Sequence, residues 1–182
     1  MPQLLHRSVL AFWFQEINPK SWFAANQDFD HLVLEHFGEL LTSAVAGECF
    51  RWRESPAGRL AEIIVLDQFS RNIYRETSRA FSQDPMALAL AQEAVTQDVL
   101  AALSPIERSF ILMPYMHSES KLVHEEAERL FRENAPDDNY KFELRHKAIV
   151  DRFGRYPHRN ELLSRKSTQL ELEFLKQSNS SF

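Results

Sequence analysis

Asp67, Gln68, Arg71 and Asn72 close a segment that is otherwise apolar through Leu60, Ile63, Ile64, Val65, Leu66 and Phe69. At helical spacing Asp67 continues the stripe of Leu60 and Ile64 and precedes Arg71 by one turn. Polar groups set into a core wall need partners, because a buried donor or acceptor left unpaired costs roughly 1–3 kcal/mol. Two readings are open. Asp67 and Arg71 form an internal pair that ties helices together, or the four residues face a ligand.

A second cluster runs from Arg152 to Asn160 and crowds Arg152, Arg155, His158 and Arg159 around a glycine and a proline. Arginine holds a carboxylate or phosphate through two parallel hydrogen bonds, and amides freed at a helix start after Pro157 would favour the same anion. Against this stands a structural role, in which these cations neutralise helix C-termini and pair with some of the 26 acidic residues. A third cluster, Tyr115 to Glu119, follows Pro114. There His117 could act as acid, base or ligand with Glu119 orienting it, or could be a hydrogen-bonded structural histidine.

Other chemistries are excluded by pattern. Ser118 to Lys121 spells S-x-x-K without its companion motifs. His124-Glu125 begins an H-E-x-x-H pattern whose last position is Glu128, and His117 and His124 are about 10 Å apart along a helix, so no metal site is expected. Four glycines leave no P-loop, nucleotide fingerprint or nucleophile elbow. Cys49 is the single cysteine, which rules out an intrachain disulfide and reads as a spare thiol. No cofactor is implied.

The elements that would position these clusters are helices. Ser8 can cap a helix from Val9 to about Gln15, and a second spans about Asp28 to Ala46 with Val33, Phe37, Leu40, Leu41 and Ala44 at helical spacing. Ser55-Pro56 opens a third that runs to about Ile73, and Asp84-Pro85 opens another from Met86 to about Gln97. Ser104-Pro105-Ile106-Glu107 is a capping box, after which Pro114 should stop or kink the helix and make Tyr115 to Ser118 a joint. Helices over about Glu119 to Glu133, through Phe142 to Phe153, and after Thr168 complete the series. The expectation is an all-α, antiparallel helical array of about eight helices, one domain over 1–176, with a disordered tail over 177–182. A net charge of −5 disfavours nucleic acid, no apolar run is long enough to span a bilayer, and the start of the chain lacks a secretory pattern, so a cytoplasmic location is expected.

Val9 to Phe14, Trp22-Phe23, Leu66 to Tyr74, His117-Ser118-Glu119 and Arg152 to Asn160, in that order, resemble the DUF924 family of uncharacterised proteins, from about Val9 to Leu175. The resemblance implies a tetratricopeptide-like, right-handed stack with a concave surface, and implies no reaction. The family word usually reads D-Q-F-P-R-N. Ser70 stands here in place of the proline, so a smoother helix is expected at that point.

Three functions compete. The first is a pocket built from Asp67, Gln68, Arg71, Asn72, His117, Glu119, Arg152, His158, Arg159 and Asn160 around a small anionic molecule or a peptide carboxylate. The second is a hydrolase with His117 or His158 moving protons, and the third is a protein-interaction scaffold in which the clusters only hold helices together. The pocket requires the three clusters to meet in one cavity. The scaffold requires each to be satisfied inside its own helix pair.

Overall fold

The computed structural model describes residues 5–178 and residue 180; of the expected tail, residues 179, 181 and 182 lie outside it. All regular structure among the described residues is helical. Helix α1 (Leu5–Ala11) passes directly into a π-helical turn, Phe12–Glu16. Ser8 lies within α1 and so does not cap it, because the helix begins at least three residues upstream. Asn18 caps the short turn Pro19–Ser21 by accepting from the Lys20 amide. Asn26 then accepts from the amides of Asp28 and Phe29 to start α2 (Gln27–Val45), whose buried stripe is Phe29, Val33, Phe37, Leu41 and Ala44.

Ser55 and Pro56 start α3 (Pro56–Ile64) as the sequence indicates, with the Ser55 hydroxyl accepting from the Gly58 amide. Gly58 is required there by close approach: a Cβ would stand 2.1 Å from the Trp52 carbonyl oxygen. Every residue from Leu60 to Ser70 is buried, which makes this the central helix. It does not run smoothly through Ser70. A π-helical turn, Val65–Phe69, lies directly before α4 (Ser70–Ile73), and its wider turn resets the register between the apolar face of α3 and the polar face of α4.

Helices α5 (Asp84–Thr96), α6 (Pro105–Met116), α7 (Lys121–Asn134) and α8 (Asp137–Phe153) pack each on the next, and α9 (Gln169–Phe174) closes the chain. The capping boxes at Ser104/Glu107 and Thr168/Glu171 are both formed. Two sequence signals act differently. Pro114 does not stop α6, which continues to Met116; a proline removes one backbone bond, and the burial of Ser109 through Met116 holds the rest in place. The joint therefore starts at His117, and the next helix begins at Lys121, capped by Ser120, rather than at Glu119. Pro157 opens only a single turn, Pro157–Arg159, so no helix N-terminus stands there to bind an anion.

The core joins α1, α2 and the central helix through rings. Trp13 meets Phe69 and Phe110 edge to face at centroid distances of 5.5 and 5.7 Å, and Phe37 lies 4.8 Å from Phe69. Such pairs add about 0.5–1.5 kcal/mol each beyond the area they bury. The Trp22 indole donates to the Trp13 carbonyl (2.9 Å) and packs on Phe110, which fixes the loop before α2 against α6. Glu62, the one break in the apolar run, is 1% exposed and is gripped by both arms of Arg53 at 2.7 and 2.8 Å. Arg53→Ala leaves that carboxylate buried and alone. Urea denaturation should show a loss of about 3–5 kcal/mol, partly recovered by adding Glu62→Gln, whereas an unchanged midpoint would mean that Glu62 reaches water.

Candidate functional site

The polar face that the π-helical turn creates is organised by Asp67, whose side chain is 1% exposed. Its carboxylate accepts from the Gln68 amide (2.6 Å) and lies 3.0 Å from Arg71 Nη1 and 2.7 Å from His117 Nδ1. Burial alone would raise this carboxyl; the Arg71 guanidinium and His117 outweigh it and hold Asp67 well below the usual carboxylate range. The end of α6 presents His117, and burial together with Arg71 pushes the imidazole below its ordinary pKa despite Asp67.

Arg71 also grips Asp84 with both arms, at 2.9 and 3.1 Å, and Arg159 reaches the same Asp84 at 3.2 Å. Asp84 sits in the first turn of α5, and its side chain serves these two guanidiniums instead of capping the helix. The Arg159 guanidinium is sandwiched by Phe81 (4.5 Å) and Tyr156 (4.6 Å), and its buried Nε has no hydrogen-bond partner among the described residues. Burial and the charge of Arg71 both work against the charge on Arg159. Asn72 donates to Asp30, which also holds Arg75.

These groups border a cavity of about 380 Å³. Gln68, Arg71, Asn72, His117, His158 and Arg159 line it, so the three clusters do meet, with Asp67 directly behind the wall. Besides Asp67, three residues expected in the pocket do not line it. Glu119 turns away to bind Arg165 at 2.5 and 2.9 Å and the Tyr156 amide at 2.7 Å, so Asp67 and not Glu119 orients His117. Arg152 lies over the rings of Phe153 and Phe174, where α8 meets α9. Asn160 donates to Ser167 and accepts from Arg165, which fixes the last loop.

The apolar walls come mostly from residues outside the three polar clusters. Trp22, Phe23, Phe81, Met113, Met116 and Phe142 line the cavity, and Phe23 and Phe142 remain 65% and 47% exposed. Their signal is the Trp22-Phe23 pair in a polar loop and Phe142 on the exposed side of a helix whose buried apolar residues are Ile149 and Val150. His146 also lines the wall, its Nδ1 donating to the Phe142 carbonyl. Cys49 is buried elsewhere, its thiol pushed up to about 11 chiefly by burial. Among the described residues no cluster of three metal-ligating side chains occurs, and no helix is long and apolar enough to cross a membrane.

Burial holds His146 down to about 3, and burial with Arg159 holds His158 down to about 4. Both are neutral at pH 7 in the folded chain and titrate near 6.5 when unfolded. Their folded values are depressed, so the stability they permit is complete above about pH 6.5 and is lost as pH falls toward 4, at about 1.4 kcal/mol per unit for each ring. Glu143, raised by burial, opposes this trend. Between pH 7 and 5 the two histidines should remove about 3–4 kcal/mol in urea denaturation, and His146→Gln should shrink the drop by about 2. Equal pH dependence in the variant would refute the assignment.

The family model for a bacterial protein of unknown function, DUF924, matches residues 9–179. A solved structure of a protein of unknown function from Agrobacterium tumefaciens, ATU0120, superposes with a TM-score of 0.92 at 31% identity, over 97% of this chain and 99% of that one. No curated protein matches the chain. The chain belongs to the DUF924 family.

Proposed function

We propose that the protein binds a small amphipathic anion, a carboxylate in the first instance, whether free or at a peptide terminus. The observation that carries this reading is Arg159. Its guanidinium is buried, shares its one carboxylate with Arg71, and keeps Nε without a partner among the described residues, beside a cavity whose other walls are aromatic and thioether groups. Desolvated guanidinium attracts an anionic head, and the exposed rings of Phe23 and Phe142 offer contact to an apolar body. The scaffold reading asks that each polar cluster be satisfied within its own helix pair. Asp67, Arg71, Asp84, His117 and Arg159 instead form one chain of contacts across the central helix, α5, α6 and the final loop, which favours a pocket. The same reading includes a tetratricopeptide-like stack forming one domain over 1–176, a cytoplasmic location and no nucleic-acid partner.

Arg159 is the residue to change, because Asp84 keeps both arms of Arg71 when Arg159 is lost, whereas removing Arg71 would strand the buried Asp67. Titration with 2-naphthylacetate, followed by Trp22 fluorescence and calorimetry, should show binding that Arg159→Ala weakens about 10- to 100-fold, the range for a charged hydrogen bond. The melting temperature should stay close to that of the parent, and the uncharged primary amide of the same acid should bind about 10-fold more weakly or worse. Equal affinity for acid and amide, or no effect of Arg159→Ala, would remove the anion site.

A further inference from the structure

The dyad of Asp67 and His117 has a chemical consequence beyond binding. Asp67, held ionised by Arg71, can only accept, so His117 Nδ1 at 2.7 Å must carry the proton it shares. The remaining nitrogen, Nε2, is then a lone pair on a neutral ring. Among the described residues it has no hydrogen-bond partner, and the ring is 14% exposed where it lines the cavity. Arg71 lies on the same carboxylate oxygen at 3.0 Å, which sets a guanidinium beside the imidazole. A buried carboxylate fixing one nitrogen of a histidine, the other nitrogen facing a cavity and a cation alongside, are the parts of a general base with an oxyanion stabiliser.

The nucleophile is set by elimination. The cavity lining contains no serine, threonine, cysteine, lysine or tyrosine. Ser70 is fully buried and Cys49 is held in the core. Glu76, the one carboxylate of the lining, is solvent-exposed and would be a weak nucleophile toward an ester, so water is the remaining nucleophile. Burial and Arg71 lower the basicity of His117, and a weak base suits a reactive acyl group with a good leaving oxygen better than an amide.

We propose that the site is a hydrolase for esters of amphipathic carboxylic acids, with His117 as general base. The proposal rests on the anion-binding reading above, in that Arg159 would hold a free carboxylate on the substrate. His117 Nε2 removes a proton from water as the water oxygen bonds to the ester carbonyl carbon. The carbonyl electron pair moves onto oxygen, where Arg71 stabilises it, and Asp67 stabilises the imidazolium. The oxyanion collapses, the bond from carbon to the alkoxy oxygen breaks, and that oxygen takes the proton from Nε2. Ester and water give acid and alcohol, and the ring returns to its neutral state.

The probes are p-nitrophenyl hemiesters of straight-chain dicarboxylic acids, which carry a carboxylate at one end and an activated ester at the other. The full-length chain should release p-nitrophenolate above the buffer blank. kcat/KM should rise on a single ionisation below pH 6.5 and stay flat above it, since Arg71, Asp67, Asp84 and His146 are the charged or titratable groups that act on His117. His117→Gln keeps a donor for Asp67 but has no basic nitrogen, and should lose about 100-fold or more in rate while still binding 2-naphthylacetate. A variant rate within threefold of the parent overturns the proposal. So does a parent rate no higher than the blank across the hemiester series when 2-naphthylacetate still binds, an outcome that leaves the binding reading intact. Failure of 2-naphthylacetate to bind strikes the binding reading itself. Nitrogen-15 NMR of the parent protein provides the check that needs no variant: His117 should be the Nδ1–H tautomer at neutral pH, and an Nε2–H ring would overturn the mechanism.

Discussion

The constraint on which the rest depends is the burial of one carboxylate, Asp67, in the middle of the central helix. An isolated ionised carboxylate cannot be carried into a protein interior without several kcal/mol of penalty, so its surroundings are dictated. Three donors answer it. Gln68 and Arg71 come from its own helix, and His117 must come from the end of α6. That last requirement fixes how α6 approaches the central helix, and Pro114 lies where it does without ending α6 because the same end of the helix is fully packed. Arg71, positioned by Asp67, then selects Asp84, and Asp84 selects Arg159. One buried charge therefore specifies the meeting of residues from four parts of the chain.

The same rule is applied repeatedly at the periphery of the site. Arg53 holds Glu62, Arg165 holds Glu119, Arg155 holds Glu171, and the fully buried His124 holds Glu143 at 2.7 Å. In each case a carboxylate in or near the core has a cationic or imidazole partner, and all three guanidinium pairs use both arms of arginine. The arginine pairs fasten loops to helices or to one another, and the histidine pair joins α7 to α8. The Glu119 and Glu171 pairs together secure the last loop, whose Tyr156 in turn donates to the Met116 carbonyl at 2.5 Å and flanks Arg159. The site is thus held from behind by charges that do not face the cavity.

Much of the fold was legible in the sequence because its signals are local. Ser55, Ser104 and Thr168 act on amides three residues away, so their neighbours suffice to identify them. The polar clusters were legible as clusters, since Asp67 at a core position needs a partner wherever it is. What was not legible is who meets whom. Asp84 reads as a helix start because Asp before Pro has a local use, and nothing local reveals that two arginines 13 and 75 residues away will claim it. Glu119 reads as the partner of His117 because it is near in sequence, while Arg165, 46 residues on, takes it. The π-helical turn was hidden for a related reason: eleven consecutive buried residues have no amphipathic period from which a change of register could be seen.

The sign of the cavity follows from which atoms are in front and which behind. The chain carries a net charge of −5, and a count of charges around the site is close to balanced. Yet Asp67 lies behind the wall at 1% exposure, Asp30 and Asp84 do not line the cavity, and Arg71, Arg75 and Arg159 do, with Glu76 the one carboxylate among the lining residues. His117, His146 and His158 are all pushed toward their neutral forms by burial, so they add no charge of their own. The lining therefore carries three guanidiniums against one carboxylate. At physiological salt the field of the remaining surface decays over about 8 Å, so the acidic exterior neither steers an anion in nor expels it once there. On the binding reading proposed above, selectivity would rest on short contacts to Arg159 and on the fit of an apolar body against Trp22, Phe23 and Phe142. On that reading a cation of the same shape would find the lone pair of His117 and the carboxylate of Glu76 but would have to sit against three guanidiniums, so the pocket would favour the anion.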